Sequence, residues 1–210
     1  MEDILDRYAR PHDPHVPLVC CDASNKEQHR ETIAPLPPAP GQPARRESTD
    51  ERNGVSNLFM FFAPLENWRH VAVTDRRTAT DWAHRMRDLV EVHCPNATRI
   101  VIVQDNLNTH TPAALYATFP PAEAKRIGDR LEFHDTPKHG SWRNMAEIAL
   151  SVLSRQCLDR RIPDQATLRQ ETVAWAARRN ASRATITWRF TTADARAKLT
   201  KLYPTLDPAQ

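Results

Sequence analysis

The chain's apolar patterning predicts an α/β fold, a mixed β-sheet with helices on its faces, and three observations carry that prediction. Residues 100–103 (IVIV) are an unbroken β-branched run, the pattern of a central strand buried on both faces. Three strand-like segments precede it or its helix, and strands alternate with helices after it, an order that describes a mixed sheet. Of the 210 residues, 40% are hydrophobic, enough for one generous domain or for one domain with an appendage.

In chain order, residues 1–17 read as a charged helical turn at best, then a tether stiffened by Pro11, Pro14 and Pro17. Residues 18–21 form a short apolar strand ending at Asp22. Residues 31–50 are polar and Pro-rich. Within them PLPPAPGQPARR reads either as a polyproline ligand or, more simply, as a surface loop. The dense apolar run 57–63 and the alternating run 69–74, separated by a turn, make a hairpin. Thr78 and Asp81 fit a capping box, opening a helix that carries Trp82, Met86, Leu89 and Val90 until Pro95 stops it.

After the strand at 99–104, Thr111-Pro112 places a cap before a proline at the first helical position. Pro120-Pro121 interrupts that helix and 122–127 restarts it. Residues 131–134 are a short edge-like strand. The strongest helical pattern is 141–161, with Met145, Ile148, Ala149, Val152 and Leu153 on one wide apolar face. A further amphipathic helix covers 165–179. Residues 185–190 alternate Ile186, Trp188 and Phe190 like a strand, and Thr191 with Asp194 caps a closing helix. The expected organisation is thus a linker over 1–17, a sheet domain over 18–162 and a helical and strand extension over 163–210.

A net charge of +3 permits a polyanionic partner without demanding one, although arginines pair at 45–46, 76–77, 160–161 and 178–179. Cys20, Cys21, Cys94 and Cys157 show no C-x-x-C pair, which favours buried free thiols in a reducing compartment. The charged N-terminus reads as no signal peptide, and the longest apolar segment, 58–65, is too short to span a bilayer. A soluble, cytoplasmic protein with no membrane partner is expected. The nine histidines show no zinc-ligand spacing.

Carboxylates supply the chemistry. Asp22 ends the first strand, Asp105 follows the central one, and Glu147 lies on the long helix. An Asp past a central strand stands at the carboxyl edge, where open α/β sheets bind ligands, though Asp-Asn also starts ordinary turns. If the first and central strands are neighbours, Asp22 and Asp105 meet and a helix beside them offers Glu147. Such a cluster suits hard, oxygen-liganded cations. Equally, Glu147 belongs to a polar stripe with Arg143, Asn144, Ser151 and Arg155, where it reads as a solvated glutamate. Asp75, Asp81, Asp88 and Asp135 are rival carboxylates. Asp81 has a capping role and Asp88 a polar helix face, which leaves Asp135, at a strand end, as the strongest rival.

The blocks CCDASNK, NLFMFFAPLENWRHVAVTDRRTATDWA, VQDNLNTHTPAALYATFPPAEAKRI, TPKHGSWRNMAEIALSVLSRQC and FTTADARAKLTKLYP resemble the catalytic part of insertion sequence 630 family transposases, in the mariner-like DDE superfamily. The resemblance covers the chain from about Tyr8, and HGSW-x-NMAE is its most specific run. It implies an RNase H-like fold and a metal-binding triad of Asp22, Asp105 and Glu147. It also implies two Mg²⁺ ions (or Mn²⁺) promoting DNA nicking at element ends, followed by strand transfer to target DNA. Asn106 and His110 become candidates for DNA contact or for supporting the triad. Lys138 and His139 would meet a phosphate or form a solvated loop, and Trp142 would anchor the helix start.

Two positions depart from the family pattern: Ala23 stands where a second acid is usual, and Arg143 where an apolar residue is. Arg143, one helical turn from Glu147, is expected to compete with metal for it. The chain begins in the linker, without the family's helix-turn-helix region. Double-stranded DNA is the expected partner, alongside a homodimer or an upstream-encoded helix-turn-helix chain, in a nucleoid-associated location. The alternative expectation is a non-catalytic remnant or regulatory partner of a full-length transposase.

Overall fold

The computed structural model describes residues 2–32, 38–42, 50–137 and 144–198. Its centre is a five-stranded sheet in the order β3-β2-β1-β4-β5. The strands are β1 (Leu18–Glu31), β2 (Asp50–Ala63), β3 (Trp68–Thr74), β4 (Ile100–Gln104) and β5 (Leu131–Asp135). The first three pair antiparallel, whereas β4 runs parallel to both β1 and β5. β4 is an interior strand between β1 and β5, and all five of its residues are buried, as its β-branched composition requires.

Side-chain alternation divides the interior into two layers. Cys20, Met60, Phe62, Val101 and Val103 face α5 (Met145–Leu153) and α6 (Gln165–Ala181). Cys21, Phe59, Phe61, Ile100 and Ile102 face α2 (Ala79–Asp88), α3 (Pro112–Thr118) and α4 (Pro121–Gly128). Adjacent Cys20 and Cys21 therefore point into opposite layers, both fully buried and unbridged. Trp82, Phe59 and Phe61 fill the second layer, and truncating any of them to Ala would cost about 3–5 kcal/mol.

Several elements differ from the sequence expectation. β1 does not stop at Asp22 but continues with β2 as a two-stranded ribbon, past a bulge between Glu27 and His29. That ribbon is lined by the cross-strand pairs Arg30–Glu51 and Glu27–Arg52, so its polar sequence hid it. The charged helical turn expected at the start of the linker is a packed helix: α1 (Glu2–Tyr8) buries Ile4, Leu5 and Tyr8, and its Ile4 and Tyr8 join the α5 layer. After it the chain is exposed at Pro11 and Pro14, turns at residues 14–16, and is buried again at Pro17.

Residues 185–190 form no strand. The edge they would join is occupied, because Asn180 of α6 accepts from the Arg69 backbone N–H (3.0 Å) and donates to the Arg69 carbonyl (2.9 Å). Arg169 also donates to the Val73 carbonyl. The segment packs Ile186 and Trp188 on the α5 layer instead, Trp188 edge-on to Tyr8. The extension is thus helical, ending in α7 (Thr192–Lys198). The helix expected over 141–161 is described from Met145, and its second half is a π-helical turn, Ser154–Leu158. Both capping boxes form, at Thr78/Asp81 and Thr191/Asp194. No helix among the described residues is long and apolar enough to cross a membrane.

Candidate active site

The pairing of β1 with β4 creates the site. Cys20 is in register with Val103, and advancing both strands by two residues brings Asp22 alongside Asp105. Two residues beyond Cys20, Asp22 also faces the α5 layer, whose first turn carries Glu147. β3 runs parallel to β1, so the loop after Thr74, with Arg76 and Arg77, lies at the same edge.

Asp22 is only 7% exposed, and its Oδ1 accepts from the Ala23 backbone N–H at 2.7 Å. Burial pushes its carboxyl up to about 7. The Ala23 N–H and the Arg77 guanidinium oppose that rise, while the charges of Asp105 and Glu147 add to it. The three carboxylates therefore share one electrostatic neighbourhood. Burial likewise raises the Cys21 thiol, and Asp22 and Asp105 raise it further, so that Cys21 is held as an inert thiol.

Asp105 follows β4 directly and is held from behind by His110. The imidazole is buried, lies nearly parallel to Trp82 at 5.9 Å, and places Nδ1 3.0 Å from Asp105 Oδ1. With the proton on Nδ1 the ring donates to the carboxylate, leaving Nε2 without a partner among the described residues. Gln104, 1% exposed, fixes the loop that joins them. Its Nε2 donates to the His110 carbonyl (2.8 Å) and to Asp135 (3.1 Å), and its Oε1 accepts from Trp82 (3.2 Å).

Glu147 is half-buried, and the start of its helix is tied to β1 by Asn144. Asn144 is fully buried. Its Oδ1 accepts from the Ala146 N–H (3.0 Å) as the helix cap, and its Nδ2 donates to the Cys21 carbonyl (2.8 Å). Asn144 is therefore no part of a solvated stripe, in contrast to exposed Ser151 and Arg155. Tyr8 adds a second link, its hydroxyl accepting from the Met145 N–H (3.4 Å) beside Cys20.

The structure thus brings Asp22, Asp105 and Glu147 to one edge, with His110 behind Asp105. His110 is only 3% exposed, and its one described side-chain hydrogen bond is to Asp105. Asn106 is exposed at the same loop. Lys138, His139, Trp142 and Arg143 lie outside the described residues. Asp135 also reaches this edge but is engaged by Gln104. Sequence reasoning missed Asn144, Gln104 and Arg77. An Asn directly before a helical run is a cap signal, and Asn144 carries it.

The donor set fits a hard divalent cation, since a buried carboxyl disfavoured by two neighbouring carboxylates is relieved by positive charge. Among the described residues, however, no three His, Cys, Asp or Glu side chains are drawn together closely enough to enclose an ion.

A family model described as DDE superfamily endonuclease matches residues 17–169. No curated protein matches the chain. Among solved structures, the crystal structure of the Mos1 strand transfer complex superposes with a TM-score of 0.54 at 16% identity, covering 84% of this chain and 51% of that one. The crystal structure of the mariner Mos1 paired end complex with Mg gives a TM-score of 0.53 at 16% identity, covering 84% and 52%. The shared feature is the RNase H-like α/β fold, and this chain spans about half the length of the structures it matches.

Proposed function

The chain belongs to the DDE superfamily endonuclease family, and from that premise we propose that it is the catalytic domain of a transposase, cleaving DNA phosphodiesters and transferring the freed 3′ end. The observation that carries this reading is the placement of Asp22 and Asp105 at the adjacent carboxyl ends of β1 and β4, with Glu147 in the first turn of the helix that Asn144 ties to β1. In this reading the three carboxylates hold two Mg²⁺ or Mn²⁺ ions. Bound there, the metal supplies an activated water and stabilises the leaving oxygen of the phosphodiester. The chain's own residues set the site: His110 aims Asp105, Asn144 fixes the helix that presents Glu147, and Arg77 lies beside Asp22.

Double-stranded DNA, as element ends and target, is the proposed substrate. A second copy of the chain, or a chain carrying a helix-turn-helix, is the proposed protein partner, and the latter would add the sequence recognition that phosphate contacts do not carry. The nucleoid is the proposed location. Purified protein should nick supercoiled plasmid with Mg²⁺ or Mn²⁺ and without site preference, and Asp105→Asn should abolish nicking. Nicking that persists in that variant, or none in the wild type, would overturn the reading in favour of a non-catalytic partner.

A further inference from the structure

Beside the carboxylate edge lies a depression of about 640 Å³ between the end of β3, α2 and α6, lined by Val73, Thr74, Asp75, Arg76, Asp81, Arg85 and Arg169. Its two acids are already engaged as acceptors. Asp81 closes the capping box with Thr78, and Asp75 accepts from Gln165. Its arginines are not matched in this way. Arg76 is exposed and makes no ion pair among the described residues. Arg169 reaches only the Val73 carbonyl, at 3.4 Å. Arg85 pairs with Asp88 through Nη2 (3.1 Å), but its Nε is buried with no partner among the described residues.

Arg77 connects this depression to the candidate site. It follows Arg76 in the chain, its Nη1 donates to the Ala23 carbonyl (3.1 Å), and its charge acts on Asp22. Three arginines thus line the depression and a fourth, Arg77, reaches the backbone beside the first carboxylate; the guanidinium is a planar fork of donors that suits phosphate oxygens.

We propose that Arg76, Arg77, Arg85 and Arg169 form the phosphate track that guides a DNA strand to the Asp22 edge. The proposal rests on the DNA-cleaving reading for its ligand but needs no cleavage. Arg76 and Arg169 bind the sugar-phosphate backbone away from the reacting bond. Arg77 meets the last phosphate before Asp22.

The test is equilibrium binding of a fluorescent 30-base-pair duplex in EDTA, measured by anisotropy over a series of salt concentrations. Removing one phosphate-binding cation flattens the slope of log K against log[salt] by about 0.9. The double variant Arg76→Gln/Arg169→Gln should flatten it by about 1.8 and weaken binding roughly tenfold at moderate salt. Arg126→Gln, on the exposed end of α4 away from the carboxylate edge, should leave the slope unchanged. Arg76→Gln alone, at an exposed position, guards against a folding defect in the double variant. A slope unchanged in both Arg76 variants, or flattened equally by Arg126→Gln, overturns the track. Loss of nicking in Asp105→Asn with binding intact bears on the cleavage reading alone, so the two fail separately.

Discussion

Asn144→Ala should cost the fold far more than a surface Asn would. The substitution removes the cap of α5, worth about 0.5–2 kcal/mol. It also strips the hydrogen bond from the carbonyl of fully buried Cys21, and an unmet buried acceptor costs about 1–3 kcal/mol. Together these give a loss of roughly 1.5–5 kcal/mol, against a total stability of about 5–15 kcal/mol. For a chain of this length the melting temperature should fall by about 3–20 °C. Asn144→Ser retains a capping oxygen but has no amide to donate to Cys21, so it should recover about half of the loss. Urea denaturation followed by circular dichroism reads both variants. If Asn144→Ala unfolds within about 0.5 kcal/mol of the wild type, or Asn144→Ser recovers nothing, the bridge between β1 and α5 does not hold the helix as described. Glu147, three residues further along α5, would then need another support.

Two further outcomes follow from the same physics. His70 and His93 lie 4.3 Å apart between ring centroids, with Trp68 against both. Burial, then His93 and Arg85, lower His70 to about 4, against the opposing pull of Asp88. Burial chiefly lowers His93 as well, with Arg85 lowering it and Asp88 raising it. Because the unfolded imidazole titrates near 6.5, the folded protein resists protonation between those values. Stability should be full above about pH 6.5 and fall as pH drops toward 4, by about 1–2 kcal/mol for a half-buried ring in partial contact with solvent. His70→Phe should flatten that fall in urea midpoints taken at pH 7.5 and 5, and an unchanged fall would place its cause elsewhere. Ile4→Ala, in a helix expected from sequence to be linker, should cost about 2–5 kcal/mol by opening a cavity under α1. A silent Ile4→Ala would show that α1 adds nothing to the core.

What the sequence disclosed was local. The β4 run is apolar on both faces because the strand is interior to the sheet and covered by both helix layers, and the two capping boxes are complete within four residues each. The position of Asp105 after β4, and of Glu147 on a helix, needed no long-range information. The neighbourhood of Asp22 and Asp105 depended on which strands pair, and the strand order anticipated it. The ribbon extending β1 was hidden because its residues are polar on both faces, with stability coming from pairing rather than burial. Residues 185–190 carry a strand's alternation, but a strand needs a free edge, and Asn180 and Arg169 had taken the one on β3. His110 was legible as a residue near Asp105 but not as the buried ring behind it, because that placement depends on Trp82 and Gln104 from two other elements.

The most direct measurement is Mn²⁺ binding to the DNA-free protein, titrated by electron paramagnetic resonance, which reads the metal site without relying on cleavage. Wild-type protein should bind Mn²⁺, and Asp22→Asn, Asp105→Asn and Glu147→Gln should each weaken binding by tenfold or more (about 1.4 kcal/mol or more). Asp135→Asn, at the same edge but engaged by Gln104, should bind as the wild type does. Equal Mn²⁺ affinity across the three triad variants, or its loss in Asp135→Asn instead, would contradict the assignment of Asp22, Asp105 and Glu147 as the metal-holding carboxylates.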